Sequence, residues 1–269
     1  EIIKLAEGIP VEIPSTIATD FKVSTKELEA AITPKTKLLM FSSPCNPSGT
    51  VYTRDELTSI AKMLEKYPDI YIISDEIYEH INFTDAHFSI GTIPSMKERT
   101  ITVNGVSKGF AMTGWRVGFM GAPLWIAKAC NKVQGQITSA TCAIAQKAGE
   151  TAMLAEPKAV TTKMKNTFLS RRDMMLKALN EIPGIKCNTP KGAFYIFPDV
   201  SYYFGKKDGE NTIENANDLC MYLLNKAHVA LVSGAAFGNP ECIRISYAAA
   251  DDKLIEAAKR MKEKLAELK

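Results

Sequence analysis

No two cysteines in this chain are spaced C-x-x-C, and histidine is scarce, at three residues. Those shortages exclude the common zinc-ligand patterns, so no metal site is expected. The six cysteines, Cys45, Cys130, Cys142, Cys187, Cys220 and Cys242, are scattered along the chain. They read as reduced thiols, which points to the cytoplasm. No stretch approaches the roughly 20 apolar residues of a membrane span, and the start carries no signal-peptide pattern. Excess charge is also missing. The net charge of +3 is too small to suggest a nucleic-acid partner. There is no internal repeat and no low-complexity segment. What remains is ordinary globular composition, 46% hydrophobic and 23% charged over 269 residues. That length suits one large domain or two smaller ones.

The most informative stretch is Gly105-Val106-Ser107-Lys108-Gly109-Phe110-Ala111-Met112-Thr113-Gly114-Trp115-Arg116-Val117-Gly118. A lysine follows the short apolar strand Ile101-Thr102-Val103, small residues flank it, and an arginine stands eight positions on. A lysine amine made neutral by its surroundings can form an imine with an aldehyde cofactor. Small neighbours let a bulky group approach the backbone. Arginine grips phosphate through two parallel hydrogen bonds. Lysine and arginine so placed are what pyridoxal phosphate requires. The plain alternative is a solvated lysine in a glycine-rich loop.

Other segments argue against that alternative. Phe41-Ser42-Ser43-Pro44-Cys45-Asn46-Pro47-Ser48-Gly49-Thr50 follows the apolar run Leu38-Leu39-Met40. Tyr71-Ile72-Ile73-Ser74-Asp75-Glu76-Ile77-Tyr78 is a second strand ending in an acid. Strands are expected at residues 11–13, 37–41, 70–74, 100–103 and 116–120. Helices are expected from Ser24, with an S-x-x-E capping box to Glu27, and from Thr53, with a second box to Glu56. Apolar strands alternating with amphipathic helices predict α/β architecture, a mostly parallel sheet flanked by helices. In such sheets ligands gather at the carboxyl ends of strands. Asn46, Asp75, Ser107 and Lys108 all fall there.

A long helix is predicted over residues 157–180, with Val160, Met164, Phe168, Met175, Leu176 and Leu179 as its apolar stripe. Beyond it the pattern predicts a smaller α+β domain. Its strands lie at residues 192–197 and 243–247 and its helix at 217–226. A last helix starts at Asp251, with Leu254, Ile255, Ala258, Met261 and Leu265 on one face. The expected division is residues 1–155, the remainder of a large cofactor-binding domain, and residues 156–269, the connecting helix and small domain. Arg171 and Arg172 read as surface charges, Cys45 as core or wall packing, and Gly234 and Phe237 as pocket wall.

These motifs, in this order along the whole chain, resemble the class I aminotransferases, particularly bacterial aspartate aminotransferases, which are fold type I pyridoxal-phosphate enzymes. The resemblance implies a role for each matched residue. Lys108 would hold the cofactor and carry the proton, Asp75 would face the pyridine nitrogen, and Tyr78 and Asn46 would meet the phenolic oxygen. Ser107 and Arg116 would bind the phosphate. Asn46 and Arg244 would bind the substrate carboxylate. A cis peptide is implied at Asn46-Pro47, and the strand beginning at Arg116 is implied to run antiparallel to its neighbours. Many relatives have a serine three residues before the lysine; here Gly105 stands instead, so one phosphate contact is absent.

The expected reaction moves an amino group between an L-amino acid, aspartate first, and a 2-oxo acid, 2-oxoglutarate first, in a homodimer. An aromatic transaminase, a β-lyase and an inactive fragment that binds no cofactor stay open as alternatives. The chain begins at Glu1 and, against the family, lacks an N-terminal portion. In relatives that portion supplies a phosphate loop, a stacking aromatic and part of the dimer interface. A truncated form or proteolytic fragment is the expectation.

Overall fold

Each of the two predicted capping boxes starts a helix. The Ser24 and Thr53 hydroxyls accept from the Glu27 and Glu56 N–H groups, and those glutamates reach back to the cap N–H. The computed structural model describes residues 2–84, 86–154 and 157–269. After a short α1 (Ile2–Leu5), α2 (Thr25–Ala31) leads to β1 (Leu38–Ser42). Next come α3 (Arg54–Leu64), β2 (Tyr71–Asp75), β3 (Thr100–Gly105) and β4 (Gly118–Gly121). The sheet order is β1-β2-β3-β4. The first three strands are parallel and β4 is antiparallel, so the implied reversal of β4 is present. Strand β4 begins two residues later than expected. Arg116 itself sits in a left-handed turn, φ 54°, just ahead of it.

The expected strand at residues 11–13 does not form. Those residues pair with no strand and are mostly exposed, and an alternating triplet without a ladder partner has nothing to hold it extended. Two helices were not anticipated, α4 (Leu124–Ile137) and α5 (Ala143–Leu154). No residue of α4 is buried; Leu124, Trp125, Val133 and Ile137 are exposed.

The long α6 (Pro157–Asn180) keeps its predicted bounds. Its stripe is shorter than expected: Phe168, Met175 and Leu179 are buried, whereas Val160 is exposed. Then come β5 (Tyr195–Ile196), a hairpin of β6 (Lys207–Asp208) and β7 (Asn211–Thr212), α7 (Ala216–Ala227), β8 (Val232–Ser233), β9 (Ile243–Ser246) and α8 (Asp251–Leu265). Strands β5, β9 and β8 form a second, antiparallel sheet. On α8, Leu254, Ala258, Met261 and Leu265 are buried; Ile255, expected beside them, faces solvent.

Two apolar cores result. One gathers Leu28, Leu57, Leu64, Ile72, Ile90 and Met96 under the first sheet. The other gathers Phe168, Leu179, Leu219, Leu223, Ile243 and Met261, and also takes in Tyr78 and Ile81. The expected domain boundary falls on residues 155 and 156, which lie outside the described residues.

Gly49 joins these two parts of the chain. Its carbonyl accepts the N–H groups of Lys191 and Gly192. Its φ is +67°, and an added Cβ would stand 2.5 Å from Pro190 Cβ and 2.8 Å from the Gly192 carbonyl oxygen. Left-handed backbone and a packing clash together predict that Gly49→Ala costs roughly 3 kcal/mol. Denaturant unfolding is the check, and a midpoint within error of the parent would refute it.

Candidate active site

Strand register assembles four of the predicted residues. Ser42 pairs with Asp75 and Asp75 with Val103, so the ends of β1, β2 and β3 are level. Hydrogen bonds carry the alignment one step further, from Ser43 N–H to the Asp75 carbonyl and from Glu76 N–H to the Val103 carbonyl. Asn46 follows β1, Asp75 closes β2, and Ser107 and Lys108 follow β3. The pairing of Gly105 with Gly118 returns the chain to the same end, bringing Arg116 there too. The Asn46-Pro47 peptide is cis, as implied, and so is Ser43-Pro44.

Asp75 is half-buried. Burial pushes its carboxyl above the usual carboxylate range, and the neighbouring Glu76 charge adds to the shift. The Ile77 N–H, 3.1 Å from Oδ1, pulls the other way. Among the described residues no cationic side chain pairs with it. Tyr78 is buried, with its hydroxyl 3.0 Å from that of Tyr195. Burial first, then that hydrogen bond, pushes its phenol far up. It is therefore a protonated hydroxyl at neutral pH. Lys108 is half-buried, its Nζ 5.8 Å from the centre of the Phe194 ring. Arg116 is exposed, and its Nη1 donates to the Thr113 carbonyl at 2.9 Å.

The residue furthest away in sequence completes the group. Arg244, on β9, lies between buried Ile243 and Ile245. Strand alternation therefore turns it away from their core. It does not simply face solvent. Its Nη1 donates to Asn46 Oδ1 at 2.9 Å, across 198 residues of sequence. Its guanidinium lies 4.6 Å from the Tyr195 ring centre and 4.9 Å from that of Phe237.

Three side chains were missed or misread. Tyr195 was legible only as a strand residue; its link to Tyr78 and Arg244 needed the register of β5 on β9. Glu76 is buried, and accepts from Ser74, Ser89 and His87 at 2.8, 2.6 and 2.7 Å, with the acceptor role at His87 depending on its tautomer. This braces the turn between Asp75 and Tyr78. Arg172, read as a surface charge, instead donates to the Pro190 carbonyl at 2.8 Å and lies over the Phe83 ring. Arg171 keeps a surface ion pair, 2.7 Å from Asp251.

The family model described as aminotransferase class I and II matches residues 1–260. The chain belongs to this aminotransferase family. A Petunia hybrida protein, named bifunctional aspartate aminotransferase and glutamate/aspartate-prephenate aminotransferase, is 47% identical over 274 residues. The match covers 100% of this chain and 57% of that protein. Among solved structures, an aspartate aminotransferase from Rhizobium meliloti superposes with a TM-score of 0.94 at 38% identity, over 100% of this chain and 68% of that one. An aromatic aminotransferase from Pyrococcus horikoshii superposes at 0.91 with 40% identity, over 98% and 69%. The chain thus spans between about half and two thirds of the length of its relatives. The class I aminotransferase fold is fold type I, and enzymes of the class work with pyridoxal phosphate.

Proposed function

We propose that this chain is the greater part of a pyridoxal-phosphate aminotransferase moving an amino group between an L-amino acid, aspartate first, and a 2-oxo acid, 2-oxoglutarate first. The observation that carries the reading is the Arg244–Asn46 hydrogen bond. It sets a cation from the second sheet over strand ends that already hold a lysine and a half-buried acid.

The residues fit the cofactor chemically. A half-buried carboxyl without a cationic partner suits a protonated ring nitrogen. A buried, protonated phenol suits an anionic oxygen. When bound, pyridoxal phosphate supplies the electron sink for charge developing at the substrate Cα. The chain does the rest. Lys108 Nζ would attach the cofactor and, once displaced, move the proton at Cα as a positioned base. Asp75 would keep the ring nitrogen protonated, and Tyr78 and Asn46 would donate to the phenolic oxygen. Ser107 and Arg116 would meet the phosphate, Arg116 releasing the Thr113 carbonyl to do so. Arg244 would exchange Asn46 for the substrate α-carboxylate, gripping it with two parallel hydrogen bonds.

Aspartate as the amino acid is supported by the names of the Petunia and Rhizobium relatives. The Pyrococcus relative favours an aromatic substrate as the second reading. We further propose two domains dividing near residue 155, on the strength of two sheets and two cores. A homodimer is supported by the exposed apolar residues of α4. A cytoplasmic location is supported by six unbridged cysteines. Among the described residues no helix is long and apolar enough to cross a membrane.

The test is incubation with pyridoxal phosphate, borohydride reduction and peptide mass analysis. A reduced adduct on Lys108 is expected. Product analysis with aspartate and 2-oxoglutarate should then give oxaloacetate and glutamate. No adduct, in this chain or in one extended at its N-terminus, sinks the reading.

A further inference from the structure

Tyr195 stands at the meeting point of two halves of the proposed site. It is buried on β5, opposite Ser246 of β9, two residues along from Arg244. Residues paired across strands share a face, and alternate residues along a strand return to it, so Tyr195 and Arg244 share one. Its hydroxyl lies 3.0 Å from the Tyr78 hydroxyl. Its ring lies 4.6 Å from the Arg244 guanidinium. One side chain therefore touches the phenol assigned to the cofactor and the cation assigned to the substrate. Nothing in the motif spacing of the chain requires this.

We infer that Tyr195 is a positioning residue that couples the two: its hydroxyl orients the Tyr78 hydroxyl, and its ring holds the Arg244 guanidinium flat for the carboxylate. The inference rests on the functional reading above. The physics of each contact is separate. A hydroxyl that donates to Tyr78 Oη turns the Tyr78 proton outward and makes it a better donor, because hydrogen bonds in a chain polarise one another. An aromatic ring beside a partly desolvated guanidinium attracts it and limits the planes it can adopt. The charged and titratable groups acting on the Tyr78 hydroxyl are Asp75 from β2, Tyr195 from β5 and Arg244 from β9. Of these, only Tyr195 hydrogen-bonds it directly.

Two substitutions separate the roles. Tyr195→Phe removes the hydroxyl and keeps the ring. Tyr195→Leu removes both. The readouts are the pH midpoint of the visible absorbance of the Lys108-bound cofactor, and the affinity for succinate as a dicarboxylate probe. Tyr195→Phe should raise the midpoint by about half a pH unit, the scale of one weakened hydrogen bond, with succinate affinity unchanged. Tyr195→Leu should raise the midpoint similarly and also weaken succinate about five- to tenfold, the scale of a lost cation–π contact. A merely structural tyrosine would not split the two readouts. An unchanged midpoint in Tyr195→Phe, or an unchanged succinate affinity in a folded Tyr195→Leu, overturns the inference alone. Should Tyr195→Leu fail to fold, the Tyr195→Phe midpoint decides. Absence of any Lys108 adduct both in this chain and in one extended at its N-terminus overturns the functional reading and this inference with it.

Discussion

Lys108→Ala should leave the chain folded and abolish the borohydride-stable adduct with pyridoxal phosphate. The expectation of an intact fold comes from how little Lys108 holds. Its ammonium lies 5.8 Å from the Phe194 ring, and no hydrogen bond or ion pair fixes it among the described residues. A contact of that kind is worth no more than about 1 kcal/mol at a half-exposed position. The thermal midpoint should therefore move by only a few degrees, about 2–4 °C at this chain length. Chemistry is a different matter. No other described lysine follows a strand of the first sheet at its carboxyl end beside Asp75, so none can replace the amine in both attachment and proton transfer. Proton transfer by a positioned group contributes roughly 10²–10⁴-fold by itself, and loss of attachment adds to that. In the protein of full family length, turnover of aspartate should fall by at least about 10⁴-fold. An adduct that persists in Lys108→Ala, on another lysine, would move the site elsewhere.

Most of what surrounds Lys108 was readable because local rules govern it. The capping boxes at Ser24 and Thr53 need only four consecutive residues. Helix α6 begins at a proline, and a Pro-Gly pair follows its end, so its bounds follow from backbone chemistry alone. Strands β1 to β3 are apolar runs that stop at Asn, Asp or Ser-Lys, and the rule for parallel sheets then sets those residues at one end.

What escaped the sequence depends on distant pairing. Strand register decides that Tyr195 lies beside Arg244 and that Arg244 reaches Asn46. No periodicity within either segment contains that information. Arg172 illustrates the same limit: its helical position looks solvent-facing, yet the Pro190 carbonyl and the Phe83 ring, from other parts of the chain, claim its guanidinium. Helix α4 is a different case: its apolar residues recur at helical spacing, so the helix was open to reading, although in this chain that face is exposed.

Arg244→Gln should keep the Lys108 adduct and lose most of the affinity for substrate. Glutamine can still donate to Asn46 Oδ1, so the contact seen without substrate has a neutral substitute. It cannot offer two parallel, charge-assisted bonds to a carboxylate. Hydrogen bonds to charged groups are worth about 1.5–3 kcal/mol. Two such bonds, partly compensated by water, predict a KM for aspartate roughly 100-fold higher. The cofactor contacts assigned to Asp75, Tyr78 and Lys108 do not pass through the charge, so the absorbance of the adduct should change little. Lysine is no repair here. The two rings beside Arg244, at 4.6 and 4.9 Å, suit a flat guanidinium, and an ammonium is a more strongly hydrated point charge. Arg244→Lys should thus bind aspartate no better than Arg244→Gln within a few-fold. Titration of the adduct absorbance with aspartate measures both variants. Full adduct formation with parental aspartate affinity in Arg244→Gln would remove Arg244 from the carboxylate site, leaving the hydrogen bond to Asn46 as a domain contact only.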